Sequence, residues 1–261
     1  MDRSGTNLVK WIRHFLLLTA FLLSTTTTSA QVLRLAGNSW PPYTDQRLPG
    51  GGLSVELIRS ALGRAGYQVD YIEVPWERAV LGLKHGNYDM VNGWPNAHHA
   101  GYARYSRPFL SNRMRWIQRR DGGIVYRGLE SLVPYRIVLL SGYAYRDALR
   151  GNARLNKNYV SSFVQAARMI AAGRVVLTRE DERVAQFHFA RELRDTRDAY
   201  RFVPGEFKLL DLSLVVRNDH PQQAAIIAAF NREIAAMLAD GSYAAIFHRH
   251  GLPAPVVLPQ P

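Results

Sequence analysis

Cysteine is absent from this 261-residue chain and lysine nearly so, with four lysines among 33 basic residues. The first absence excludes disulfides, thiolate metal sites and a lipid-modified cysteine. The second makes the formal charge of +12 almost entirely an arginine charge. Those arginines are scattered (Arg59, Arg64, Arg104, Arg127, Arg168, Arg191, Arg217) and form no concentrated run. A nucleic-acid surface would gather them on one stripe, so no nucleic-acid partner is expected. After residue 30, no stretch approaches the ~20 uncharged residues that span a bilayer. GxSxG, Walker and GxGxxG patterns are missing too, which removes the common nucleophile-elbow and nucleotide-loop chemistries.

What is present begins with a short apolar run. Arg3, Lys10 and Arg13 precede an apolar segment from Phe15 to Leu23, and small residues follow to Ala30. A charged start, a brief greasy core and a small-residue cleavage point describe a secretory signal over residues 1–30, cut before Gln31. With no cysteine to carry a lipid, the mature chain is expected free in the periplasm. Roughly 230 residues remain, enough for one large or two small domains.

Strand-like and helix-like pieces alternate along them. VLRLAG (Val32–Gly37) reads as a strand, LSVELIRSALGRAG as a helix stopped by Gly66, and YQVDYIEV (Tyr67–Val74) as a second strand. A helix from Trp76 to Gly86 and a strand at Tyr88–Gly93 follow, an order that implies a mainly parallel sheet with helices on both faces. Ser111–Arg120 is a long strand candidate. A second unit then opens with a strand at Tyr135–Gly142 and a helical stretch through Tyr143–Leu149. It continues with a helix at Ser161–Gly173, a short strand at Val175–Thr178, a helix over 183–193 and a strand at Leu209–Asn218. Gln222–Leu238 and Ser242–Gly251 close the chain as helices. Two α/β units on either side of one long strand fit two lobes with a cleft better than a single sheet. Ligands of such sheets sit beyond the carboxyl ends of the strands, and Trp40–Tyr43, Asn92–Trp94 and Ser141–Gly142 all fall there.

The motifs LAGNSWPPYT, VPWERAVLGLKHGNYDMV, YSRPF, AAGRVVLTRED, LSLVVRNDHP and IAAMLADGSYAAIFHRHG occur in this order. In that order the chain resembles the family 3 bacterial solute-binding proteins, periplasmic receptors of amino-acid ABC importers. The resemblance implies a type II periplasmic-binding-protein fold: two lobes, each a mainly parallel sheet flanked by helices, joined by two crossing strands. By motif order, residues 31–118 plus 212–261 form lobe 1 and 119–211 lobe 2. It further implies a monomer that closes by hinge motion over a small polar organic solute and hands it to an inner-membrane ABC permease. Neither catalysis, a metal nor a cofactor is implied.

The site residues follow from the same resemblance. Tyr43 stands where the family stacks an aromatic on its ligand, with Trp40 beside it; Trp76 and Arg78 match a Pro-Trp-x-Arg pattern. Gly93, Trp94 and Asn96 lie on the loop offering backbone groups and a ring. Ser141 and Gly142 precede a second-lobe helix, and Asp181 aligns with the acid that holds a ligand amino group. One departure matters. Amino-acid receptors carry an arginine in the loop between Asp89 and Tyr105 that grips a carboxylate bidentately, whereas this chain has Asn96, His98 and His99 there. The adjacent histidines lack the acid or cysteine that would complete a metal set. The competing readings are a dehydratase-like enzyme on the same fold, using Glu77 or Glu180, and a ligand-sensing adaptor for a membrane receptor.

Overall fold

Val32–Gly37 (β1) sends Leu33 and Leu35 into one apolar cluster and Ala36 into another. That period of two is what a strand covered on both faces requires. The computed structural model describes residues 31–95, 101–141, 143, 149, 151–205 and 208–253. Eight further strands share the sheet with β1: Gln68–Glu73 (β2), Met90–Gly93 (β3), Ala103–Arg119 (β4), Arg136–Leu140 (β5), Asn156–Val160 (β6), Leu177–Asp181 (β7), Tyr200–Phe202 (β8) and Lys208–Arg217 (β9). Their order is β2-β1-β3-β9-β4-β7-β5-β6, with β8 beside β4.

The sheet is mixed in a regular way. β1 pairs parallel with β2 and β3, and β5 pairs parallel with β6 and β7. Between these two parallel groups run the long strands β4 and β9, antiparallel to each other and to their neighbours. This is the α/β periplasmic-binding-protein fold of type II, with β4 and β9 passing from one half of the sheet to the other. YSRPF and RMRWIQRR, read separately in the sequence, belong to one strand that begins at Ala103 rather than Ser111.

From Val32 on, the chain forms one compact unit, yet its apolar interior is divided. Helices Leu53–Arg64 (α1), Gln223–Ala239 (α5) and Ser242–Arg249 (α6) cover one face of the β1–β3 half, where Leu57, Ile58, Leu62, Phe230, Met237 and Phe247 are fully buried. The opposite face takes Trp76–Lys84 (α2) through Ala79 and Leu83. In the other half, Val138 and Leu140 of β5 face Phe163–Ala171 (α3) and Glu182–Phe189 (α4). Ile137 and Leu139, one residue out of step, face Trp116, Leu132 and Leu155.

Two further boundaries differ from the sequence expectation. The strand expected at Val175–Thr178 runs from Leu177 to Asp181, because Thr178, Arg179, Glu180 and Asp181 pair with Ile117, Trp116, Arg115 and Met114 of β4. Cross-strand bonding to a central neighbour thus overrides four residues that look solvated. The helix expected over 183–193 ends at Phe189. Of the helical stretch expected at Tyr143–Leu149, only the two end residues lie among the described ones.

Candidate functional site

The carboxyl ends of the parallel strands all open on the same place. After β1 the chain turns tightly: Trp40 N donates to Thr44 O (2.6 Å) and Tyr43 N to Trp40 O (3.0 Å), and the Pro41–Pro42 peptide is cis. The turn is fastened to α1, whose Leu53 and Ser54 amides donate to Pro42 O and Tyr43 O. Gly52 makes this approach possible. Its φ is +97°, and a Cβ there would lie 2.6 Å from Tyr43 O, a clash that only glycine avoids.

A cavity of about 600 Å³ lies beyond these ends, a volume ordinary for a small-molecule site. Trp40 reaches it from the loop after β1, Trp76 from the start of α2, Trp94 from the end of β3, and Ser141 and Tyr143 from the end of β5. Ser161, Ser162 and Phe163 arrive from the end of β6, and His188 and Glu192 from the α4 side. Trp40 stands 5.6 Å from Trp94 and 6.4 Å from Tyr143, and Trp94 lies 6.3 Å from Tyr143. The three planes meet at 88°, 87° and 79°.

Behind these rings sit two adjacent, fully buried carboxyls, Glu180 and Asp181, at the end of β7. Each wall ring is tied to them. Tyr143 Oη donates to Glu180 Oε2 at 2.9 Å. Trp94 Nε1 donates to Asn112 Oδ1 (2.8 Å), and Asn112 Nδ2 in turn to Asp181 Oδ2 (3.3 Å). Trp40 packs on Tyr43 with ring centres 4.6 Å apart, and Tyr43 Oη donates to Asp181 Oδ1 at 2.9 Å. Asp181 also caps α4, accepting from the amides of Arg183 and Val184, and takes the Arg113 amide on Oδ2.

Burial pushes Glu180 up to about 8, with the neighbouring Asp181 charge adding to the rise and the Asp181 amide and Tyr143 hydroxyl opposing it. Burial also raises Asp181, against the pull of its donors. Two carboxylates so close and so dry cannot both ionise easily. Glu180, with fewer donors, is the one that keeps a proton at neutral pH.

Residues 34–253 match the family described as bacterial extracellular solute-binding proteins, family 3. The chain belongs to that family. A search of curated protein sequences returned no match. Among solved structures, a histidine kinase sensor domain with similarity to periplasmic binding proteins superposes with a TM-score of 0.72 at 22% identity, covering 87% of this chain and 99% of that one. An ancestral arginine-binding protein bound to arginine gives 0.69 at 17% identity, covering 85% and 98%. The ancestral amino-acid-binding protein AncCDT-1, a precursor of cyclohexadienyl dehydratase, gives 0.67 at 16% identity, covering 84% and 94%. At these identities the likeness is one of fold.

Within this family 3 member, Trp40, Trp76, Gly93, Trp94 and Ser141 border the cavity. Three others do not. Tyr43, expected to stack on a ligand, has no exposed surface and belongs to the core under Trp40. Asp181, expected to hold an amino group, is buried and spends its oxygens on Tyr43, Asn112 and three amides. Arg78 is exposed on α2 and is not among the cavity residues. Asn96 and Gly142, with His98 and His99, lie outside the described residues. Sequence reasoning missed Tyr143, Ser161, Ser162, Phe163, His188 and Glu192. One signal was available: Ser162 followed by Gln165 is a capping-box spacing, and the Ser162 hydroxyl does accept from the Gln165 amide, which marks a strand-to-helix turn at the cavity.

Proposed function

We propose that this chain is a periplasmic solute-binding protein that traps a small polar organic molecule by hinge closure and delivers it to an inner-membrane ABC permease. The lobes are residues 31–118 with 212–261, and residues 119–211, with β4 and β9 as the crossing strands. One observation carries this reading: aromatic and polar groups from the carboxyl ends of strands in both halves of the sheet line one cavity of about 600 Å³. Family membership supports it. The signal-like first thirty residues, the lack of cysteine, and the fact that no described helix is long and apolar enough to cross a membrane agree with a periplasmic location without a lipid tether.

Binding without turnover is the reading the side chains favour. A catalytic carboxyl has to reach its substrate. Glu180 is walled off behind Tyr143, and Glu77, which lines the cavity, is exposed and has no partner group set against it among the described residues. Thermal-shift screening of the mature chain against amino acids, polyamines, sugars, organic acids and quaternary amines tests the receptor function. The expected result is stabilisation by one chemical class, following RT ln(1 + [L]/Kd), with the solute recovered unchanged. Consumption of the solute would make the protein an enzyme, and no shift by any class would remove the receptor reading.

A further inference from the structure

We propose that the solute is an organic cation with an alkylated ammonium head and no carboxylate, seated in the corner formed by Trp40, Trp94 and Tyr143. The inference rests on the receptor reading above and names its ligand class.

Shape comes first. Three rings at 79–88° to one another, with centres 5.6–6.4 Å apart, bound a corner of the cavity. A group filling such a corner sits roughly 4–5 Å from each ring, inside the ~6 Å reach of a cation–π contact. A flat guanidinium or an amino-acid aromatic would stack on one face and leave the other two unused. A rounded, methylated ammonium presents a partly positive surface in every direction and meets all three. The corner is also rigid, since its rings are anchored through Glu180, Asn112 and Tyr43.

Charge is the second, independent observation. The chain carries 33 basic residues against 21 acidic ones, yet the cavity reverses that balance. Among the described residues, its one arginine is Arg47, whose Nε and Nη2 are both engaged by Asp45 at 2.9 and 2.7 Å. His188 is bonded to Glu192 at 3.0 Å. The cavity acid outside these pairs is Glu77. Among the described residues a ligand carboxylate would meet no uncommitted cation, while an ammonium would find Glu77 and three aromatic rings in the same cavity.

Calorimetric titration of the mature chain at low ionic strength tests this with tetramethylammonium, choline, 3,3-dimethylbutan-1-ol (the uncharged carbon isostere of choline), agmatine and glutamate. Choline and tetramethylammonium should bind, and the isostere at least tenfold more weakly than choline. Trp94→Leu should cost at least tenfold in choline affinity, with Trp94→Phe restoring most of it. Glu77→Gln should weaken choline a few-fold and leave the isostere untouched. The cation inference fails if the isostere matches choline within twofold, or if agmatine or glutamate binds more tightly than choline. Glutamate binding lost in Trp94→Leu would keep the receptor reading while ending this one. Silence from all five probes at millimolar concentration also ends it, and the broader screen then decides the receptor reading separately.

Discussion

The wall of the cavity and the layer beneath it are made from the same materials and behave differently. The wall is Trp40, Trp94 and Tyr143, each partly exposed. The layer beneath is Tyr43, Asn112, Glu180 and Asp181, all buried. Trp40 and Tyr43 stand three residues apart in one turn, one ring facing the hollow and the other the core. Their comparison separates two duties that one motif, WPPYT, would otherwise blur. Wall rings meet a guest. The lower layer holds the wall in place and carries its cost in buried polar groups, which stay tolerable only because each finds a partner.

The sharpest way to break this contrast is Tyr43→Ala. Loss of a fully buried aromatic of the main core should destabilise the unliganded protein by about 3–5 kcal/mol, read as a shifted denaturation midpoint. If stability is unchanged and only ligand binding falls, Tyr43 is a wall residue after all and the distinction collapses.

A smaller and opposite effect is expected at Glu180. Its folded-state value of about 8 lies above the ordinary 4.5, so the native state holds a proton that the unfolded chain releases. Its contribution to stability is therefore complete below about pH 4.5 and disappears as the pH rises toward 8. Glu180→Gln removes that dependence. At pH 8 it should raise the melting temperature by several degrees, and it should do little at pH 5. A stability profile equally steep in both proteins would show that the carboxyl is ionised throughout.

The least effect belongs to Trp94→Phe. It keeps a ring on the wall but leaves the buried Asn112 Oδ1 without that donor, at a cost of about 1–3 kcal/mol. A chemical denaturation series resolves that difference. A loss several times larger would place Trp94 with the lower layer.

The sequence carried the wall better than the layer beneath. Trp40, Gly93, Trp94 and Ser141 were legible because each stands at the end of an apolar strand, where ligands of α/β sheets gather, and Trp76 because it matches a Pro-Trp-x-Arg pattern of the family. Tyr43 was not, because a turn has no period from which to read a direction; the Trp40–Thr44 closure and the anchoring to α1 decide it. Asp181 was read, by resemblance, as the acid that holds a ligand amino group. Its place is set by pairing with Met114, 67 residues earlier, and by partners from β1's turn and β4, none of which local pattern reveals. Tyr143 and His188 were hidden for the same reason, since only the folded sheet brings them to Trp40.

The Tyr43–Asp181 bond has a mechanical meaning. It ties the turn after β1 to the end of β7, and one turn along, Val184 of α4 is lodged in the hydrophobic cluster of the opposite half. Such a seam stitches the two halves of the sheet together along one edge of the cavity, like the spine of a book. Under the hinge closure proposed above, a crosslink placed at this seam should alter ligand affinity less than one placed across the cavity at Ser161 or Ser162.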